Sequence, residues 1–200
     1  MIFEWDDFGC DHIISDMCQS HDCRDQLDRL KELNPKFKAT LFAIPSEMTM
    51  ELIAWCQSNK DWIQLAVHGF FHSSNYECEK MSYDDFDYLM SAFSPIINKN
   101  FVSVFRAPGW QISDDIMKWL YDHNWIIADQ GYNDARRPIG LKAFVNHDNN
   151  FRAAGKSVEV YHGHTWNVGW NGIYEDYDKV ESLVKDCKEF KFVTEAFDGN

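Results

Sequence analysis

Ile2-Phe3-Glu4-Trp5-Asp6-Asp7-Phe8-Gly9 opens the chain, and the reading of the rest follows from it. Apolar Ile2, Phe3 and Trp5 mark a buried strand. Two carboxylates stand where that strand runs into Phe8 and Gly9. Asp-Asp-x-Gly is also ordinary turn composition; the apolar run before it favours the strand. Successive strand residues face opposite sides. Asp6 and Asp7 can therefore serve one site only if the strand breaks at about Asp6.

Further along, β-type runs alternate with helix-type runs. The pattern predicts strands at 39–44, 63–67, 102–105, 125–128, 158–161 and 190–193. It predicts helices at 24–33, 49–58, 82–97, 113–123 and 175–188, with Ser82 and Ser113 at N-cap positions. Residues 130–157 show no regular pattern. Such alternation means a parallel sheet covered by helices, with right-handed crossovers. An open doubly wound sheet and a barrel both fit. In either, functional groups collect at the carboxyl edge of the sheet.

Composition narrows the function. The chain has 200 residues, 45% of them hydrophobic, which suits one domain spanning residues 1–200 with a full core. No apolar run reaches the ~18 residues of a membrane span, and no signal-peptide pattern opens the sequence, so a cytoplasmic protein is expected. Nineteen basic against 32 acidic residues give a net charge of −13, which disfavours phosphate backbones and anionic lipid. Neither nucleic acid nor membrane is expected as a partner. The six cysteines, at 10, 18, 23, 56, 78 and 187, form no C-x-x-C pair and read as reduced thiols. Cys56 and Cys187 are expected in the core.

The residues just past the strands carry the chemistry. They are Asp6 and Asp7, then His68 and His72, then Arg106, then Asp129, then His162 and His164. Half of the eight histidines thus fall in two short segments on one rim. An aspartate with two neutral imidazoles suits a divalent metal with positions left open. Asp7, His68 and His72 are the candidate ligands, the two rings facing one way if their segment makes a helical turn. Such an ion lowers the pKa of water to ~7 and polarises a carbonyl. Asp6 is then free to take a proton. Arg106 can clamp a carboxylate by a fork of hydrogen bonds. Gly109 can offer a backbone N–H to an oxyanion, and Trp110 can form a lid. His162 or His164 can act as general acid, with Asp129 orienting the ring. Spacing does not choose between the two histidines.

In this order the motifs resemble those of the polysaccharide deacetylase family, carbohydrate esterase family 4. Its T-F-D-D-G is similar to residues 4–9, its H-S/T-x-x-H to His68–His72, and its R-x-P-Y to Arg106–Gly109. Asp129 is the best match to the fourth motif, and Val158–His164 holds the strand and histidine of the fifth. The resemblance runs from residue 2 to about 195. It is nearest to a divergent branch with D-D-F-G, H-G-x-x-H and R-A-P-G-W. It departs at Gly69, where a Ser or Thr is usual, and at Gly109, where a Tyr is usual. It also lacks the tryptophan of the fourth motif and has two histidines in the fifth.

The resemblance implies an α/β fold, an irregular, incomplete (β/α)7 barrel. It implies Asp6 as base and Asp7, His68 and His72 as ligands of a divalent metal, zinc first, with cobalt, nickel or manganese as alternatives. The expected activity is hydrolytic removal of an N-acetyl or O-acetyl group from a sugar or sugar-containing small molecule. Trp110, Trp166 and Trp170 are expected to stack on sugar rings, and residues 130–157 to form a substrate-facing insertion. Hydrolysis of another amide, or of an ester, and non-catalytic sugar binding are the rival readings.

Overall fold

The computed structural model describes residues 1–15, 18–166 and 172–197. Along the chain run β1 (Ile2–Phe8), β2 (His12–Ser15), β3 (Cys18–Ser20), α1 (Arg24–Leu33), β4 (Ala39–Ala43), α2 (Met50–Ser58) and β5 (Ile63–His68). There follow α3 (Tyr83–Ala92), α4 (Ser94–Asn100), β6 (Phe101–Arg106), α5 (Asp114–Asp122) and β7 (Ile126–Gln130). The last are β8 (Lys142–His147), β9 (Asn150–Ala153), β10 (Lys156–Val158), β11 (Val160–His164) and α6 (Tyr177–Asp186).

The main sheet has the order β10-β9-β8-β7-β6-β5-β4-β1-β11. From β11 to β8 every neighbouring pair is parallel; β9 and β10 are antiparallel additions. The sheet curls until its two ends face each other. Inward residues Ile2, Phe42, Ala66, Val104, Ala128, Phe144 and Phe151 share one cluster with Val193. The Phe151 ring lies 6.2 Å from that of His162 across the gap. The result is an incomplete barrel of the expected (β/α)7 kind. Its outer face packs on helices through two further clusters. Leu27, Leu30, Leu52, Ile53, Val180 and Val184 build one, and Phe86, Met90, Ile116 and Leu120 belong to the other.

Local chemistry sets several boundaries. The Ser82 hydroxyl accepts from the Asp85 amide and that of Ser113 from the Ile116 amide, so both N-caps are as predicted. The single helix expected over 82–97 is two helices. Pro95 lies in the first turn of α4, and proline there cannot continue α3, because it lacks an N–H and collides with the preceding turn. The expected strand at 190–193 makes an isolated bridge from Lys191 to Ile2, after which the chain forms a 3-10 turn over Thr194–Phe197. Residues 130–157 are more regular than expected: a 3-10 turn over Gly131–Arg136, then β8, β9 and the start of β10. They widen the barrel wall. Cys23, Cys56 and Cys78 are buried thiols, whereas Cys187 is only partly covered. No helix among the described residues is long and apolar enough to cross a membrane.

Candidate functional site

The strand does not break at Asp6. Its pairing with β4 slips between Trp5 and Phe8, and Asp7 adopts φ 69°, so β1 bulges and continues to Phe8. Three donors hold the bulge: the Thr165 amide to the Asp6 carbonyl at 2.9 Å, the Thr165 hydroxyl to the Asp7 carbonyl at 2.8 Å, and the His21 amide to the Asp7 carbonyl at 3.1 Å. Both carboxylates are thereby turned into one site, and both are buried.

Asp7 meets the histidines. Its Oδ1 lies 3.3 Å from His68 Nε2 and 3.2 Å from His72 Nε2, and the three side chains are buried. The segment between the histidines is not helical. Gly69 (φ 59°) and His72 (φ 48°) bend it left-handed, and Glu77 accepts from the Phe70 and Phe71 amides. The bend still aims both rings at Asp7. Gly69 explains its own departure from the family motif. A Cβ there would stand 2.7 Å from Pro108 Cγ.

The fit of a metal follows from the donors. His68 Nδ1 lies 3.2 Å from the Arg106 carbonyl, which can only accept, so Nδ1 carries the hydrogen. With His68 neutral, the Nε2 lone pair points at Asp7 Oδ1, a buried acceptor that then has no donor. Facing acceptors need a positive charge between them: a proton on Nε2 in the metal-free protein, or a metal ion in its place. Ligand atoms around a tetrahedral ion at ~2.0–2.1 Å stand ~3.3 Å apart, matching the observed separations. Burial would raise the Asp7 carboxyl, but the hydrogen bond and charge of His68 and the charges of His72 and His164 outweigh it and lower it. Burial would lower His68, but Asp6 and Asp7 outweigh it and raise it.

Arg106 is fully buried between the rings of Phe42 and Trp110, with its guanidinium carbon 3.6 and 4.3 Å from their centroids. Its Nη1 donates to Asp6 Oδ1 at 2.5 Å and its Nη2 to Glu4 Oε1 at 2.8 Å. The fork thus clamps two carboxylates of the protein itself. Against burial, Arg106 and the imidazoles of His68, His162 and His164 hold Asp6 well below the usual carboxylate range. Asp6, His162 and His164 each bring a ligand atom within 4.8 Å of the others.

Asp129 does not orient either imidazole in the expected way. Ala128 faces the barrel interior, and Asp129, next along the strand, takes the opposite side. There Asn133 Nδ2 reaches its Oδ1 at 2.8 Å and Arg137 Nε its Oδ2 at 3.2 Å. The carboxylate that meets an imidazole is Glu4, whose Oε1 lies 3.1 Å from His162 Nδ1. Sequence reading passed over Glu4, Thr165 and Glu77. Glu4 had a signal, being a charge set between Phe3 and Trp5 in a run otherwise built for burial.

The tryptophans divide. Trp110 is half-buried with its edge toward His162, ring centroids 5.6 Å apart. Trp166 donates its indole N–H to Asp7 Oδ2 at 2.5 Å and packs on His164. It therefore holds a candidate ligand in place. Gly109 (φ 57°) lies on the Asn75 backbone, where a Cβ would stand 2.6 Å from the carbonyl oxygen. Trp170 lies outside the described residues.

No family model and no curated protein matches the chain. Solved structures do. A peptidoglycan N-acetylglucosamine deacetylase superposes with TM-score 0.62 at 17% identity, over 100% of this chain and 88% of that one. A family 4 acetyl xylan esterase from Clostridium thermocellum, in complex with a cobalt ion, gives TM-score 0.61 at 16% identity, over 98% and 89%. The chain has the polysaccharide deacetylase fold. A family 4 pseudoenzyme from Bacillus anthracis also shares this deacetylase fold, with TM-score 0.52 at 14% identity, over 98% of this chain and 64% of that one. Fold alone therefore leaves activity to be argued from the site.

Proposed function

We propose that the chain is a metal-dependent hydrolase that removes an acetyl group from an N-acetylated sugar or sugar conjugate. The observation that carries this reading is the convergence of Asp7, His68 and His72 on one point, with the Asp6–Arg106 pair beside them. Both neighbours named for an activity act, by those names, on acetyl groups borne by saccharides. Zinc is the proposed ion, on the two-nitrogen, one-oxygen donor set; cobalt, nickel and manganese are alternatives.

Asp7, His68 and His72 would hold a dication, which would supply Lewis acidity toward water and an acyl oxygen. The protein does the rest. Asp6, kept ionised by Arg106, accepts a proton from the attacking water. The Gly109 amide is the proposed donor to the developing oxyanion. His162 or His164 gives a proton to the leaving amine, a contribution worth ~10²–10⁴-fold. Trp110 and Trp166 flank this proton path, and sugar stacking on Trp110 is part of the proposal.

The test measures bound metal and released acetate together, over a panel of N-acetylated sugars and small amides. Divalent metal at one equivalent with acetate release supports the reading. Metal-free protein that frees no acetate from any of them overturns it. The pseudoenzyme neighbour favours one rival, a sugar-binding relative without turnover. Equal sugar binding by wild type and Asp6→Asn, with no turnover by either, would establish that rival.

A further inference from the structure

We infer that Glu4 is a positioning residue that makes His162, rather than His164, the proton donor to the leaving group. This rests on the hydrolytic reading above. Glu4 sits two residues before Asp6 and faces the same side of β1. It is fully buried, a costly place for a carboxylate unless its partners use it. One oxygen, Oε1, receives both Arg106 Nη2 at 2.8 Å and His162 Nδ1 at 3.1 Å. Arg106 Nη1 continues to Asp6 at 2.5 Å. A single arginine thus joins the proposed base to the carboxylate behind the proposed acid.

The chemistry follows from who can donate. An ionised carboxylate only accepts, so the His162 hydrogen facing Glu4 is on Nδ1. Nε2 is left as the nitrogen that holds and releases the mobile proton. During acyl transfer, water's oxygen bonds the acyl carbon and one water proton goes to Asp6. The carbon–nitrogen bond breaks, and the nitrogen takes the proton from His162 Nε2. His162 is left neutral with Nδ1–H still on Glu4, and Asp6 is left protonated. Exchange with solvent resets both.

Leaving-group dependence gives the test, because an aryl acetate departs without a proton and an amine does not. Glu4→Gln and His162→Asn are each expected to lose at least ~10²-fold in kcat on the N-acetyl amide, while aryl acetate hydrolysis stays within a few-fold. The double variant is expected to lose no more than His162→Asn alone, since the two act as one unit. An equal loss on both substrates by Glu4→Gln would mean a merely structural role and overturn the inference. So would a selective amide loss in His164→Asn that is absent from His162→Asn. Nitrogen-15 NMR of His162 in the wild-type protein gives a readout independent of turnover and of any variant's folding. Nδ1–H is expected, and hydrogen on Nε2 alone overturns the inference. Should the wild type hydrolyse nothing, the proposed function fails while the Glu4–His162 pairing is still decided by that spectrum.

Discussion

Asp6 and Asp7 are adjacent in sequence, and their partners are what assign them different proposed tasks. Asp6 is tied to a guanidinium, and Asp7 faces two imidazoles and an indole N–H. Asp6→Asn is therefore expected to keep its metal and lose ~10²–10⁴-fold in kcat, checked by metal content beside acetate release. His72→Ala is expected to lose both. The sign of the pH dependence of metal binding follows from His68. Its pKa is raised in the metal-free protein, so the proton it holds stabilises that state below the ordinary histidine value and is lost as pH rises through the raised one. A metal must displace that proton. Zinc affinity is thus expected to climb as pH rises from the ordinary histidine value through the raised one, with proton release seen by calorimetry in buffers of different ionisation enthalpy. A flat affinity would mean that His68 does not ligate.

The loops after β5 and β6 are built as an interlocked pair. Gly69 packs on Pro108, and Gly109 packs on Asn75. Each glycine has positive φ, so a side chain meets both strain and collision. Gly69→Ala is expected to lower stability by ~1–3 kcal/mol, read from the denaturant midpoint, with weaker metal binding because His72 rides on that loop. This geometry also marks what sequence reading can reach. The helices were legible because their apolar spacing and caps are local, and α1 has the predicted bounds of Arg24–Leu33. The rim residues were legible because the ends of parallel strands gather chemistry. The β2–β3 hairpin and the β8–β10 meander were not, since their strands are three to six residues long, too short for alternation to stand out even though each pairs with a sequence neighbour. The Asp129 pairing failed for a similar reason: a one-residue difference in strand phase decides which side a carboxylate faces. Glu4 was passed over because its partners, Arg106 and His162, lie about 100 residues or more away.

At the scale of the molecule, the barrel is open where β11 and the antiparallel meander face each other, so the carboxyl rim lacks a continuous ladder. The candidate ligand set ties β1 to the loop after β5, whose strands are separated in the sheet by β4. An ion bound there stabilises the native state alone, by ~2.7 kcal/mol at 100 times its dissociation constant. For a chain of this length that corresponds to a rise in Tm of ~5–10 °C. The net charge of −13 makes a control necessary, because any dication screens self-repulsion. Magnesium prefers an octahedron of oxygens and keeps its water, so it gains little from two imidazoles and one carboxylate. Zinc is expected to raise Tm and chelator to reverse it, with magnesium at equal ionic strength giving only the small screening shift. His72→Ala is expected to respond to both ions as wild type responds to magnesium. Equal shifts from zinc and magnesium in the wild type would assign the whole effect to surface charge and leave the three residues without a metal.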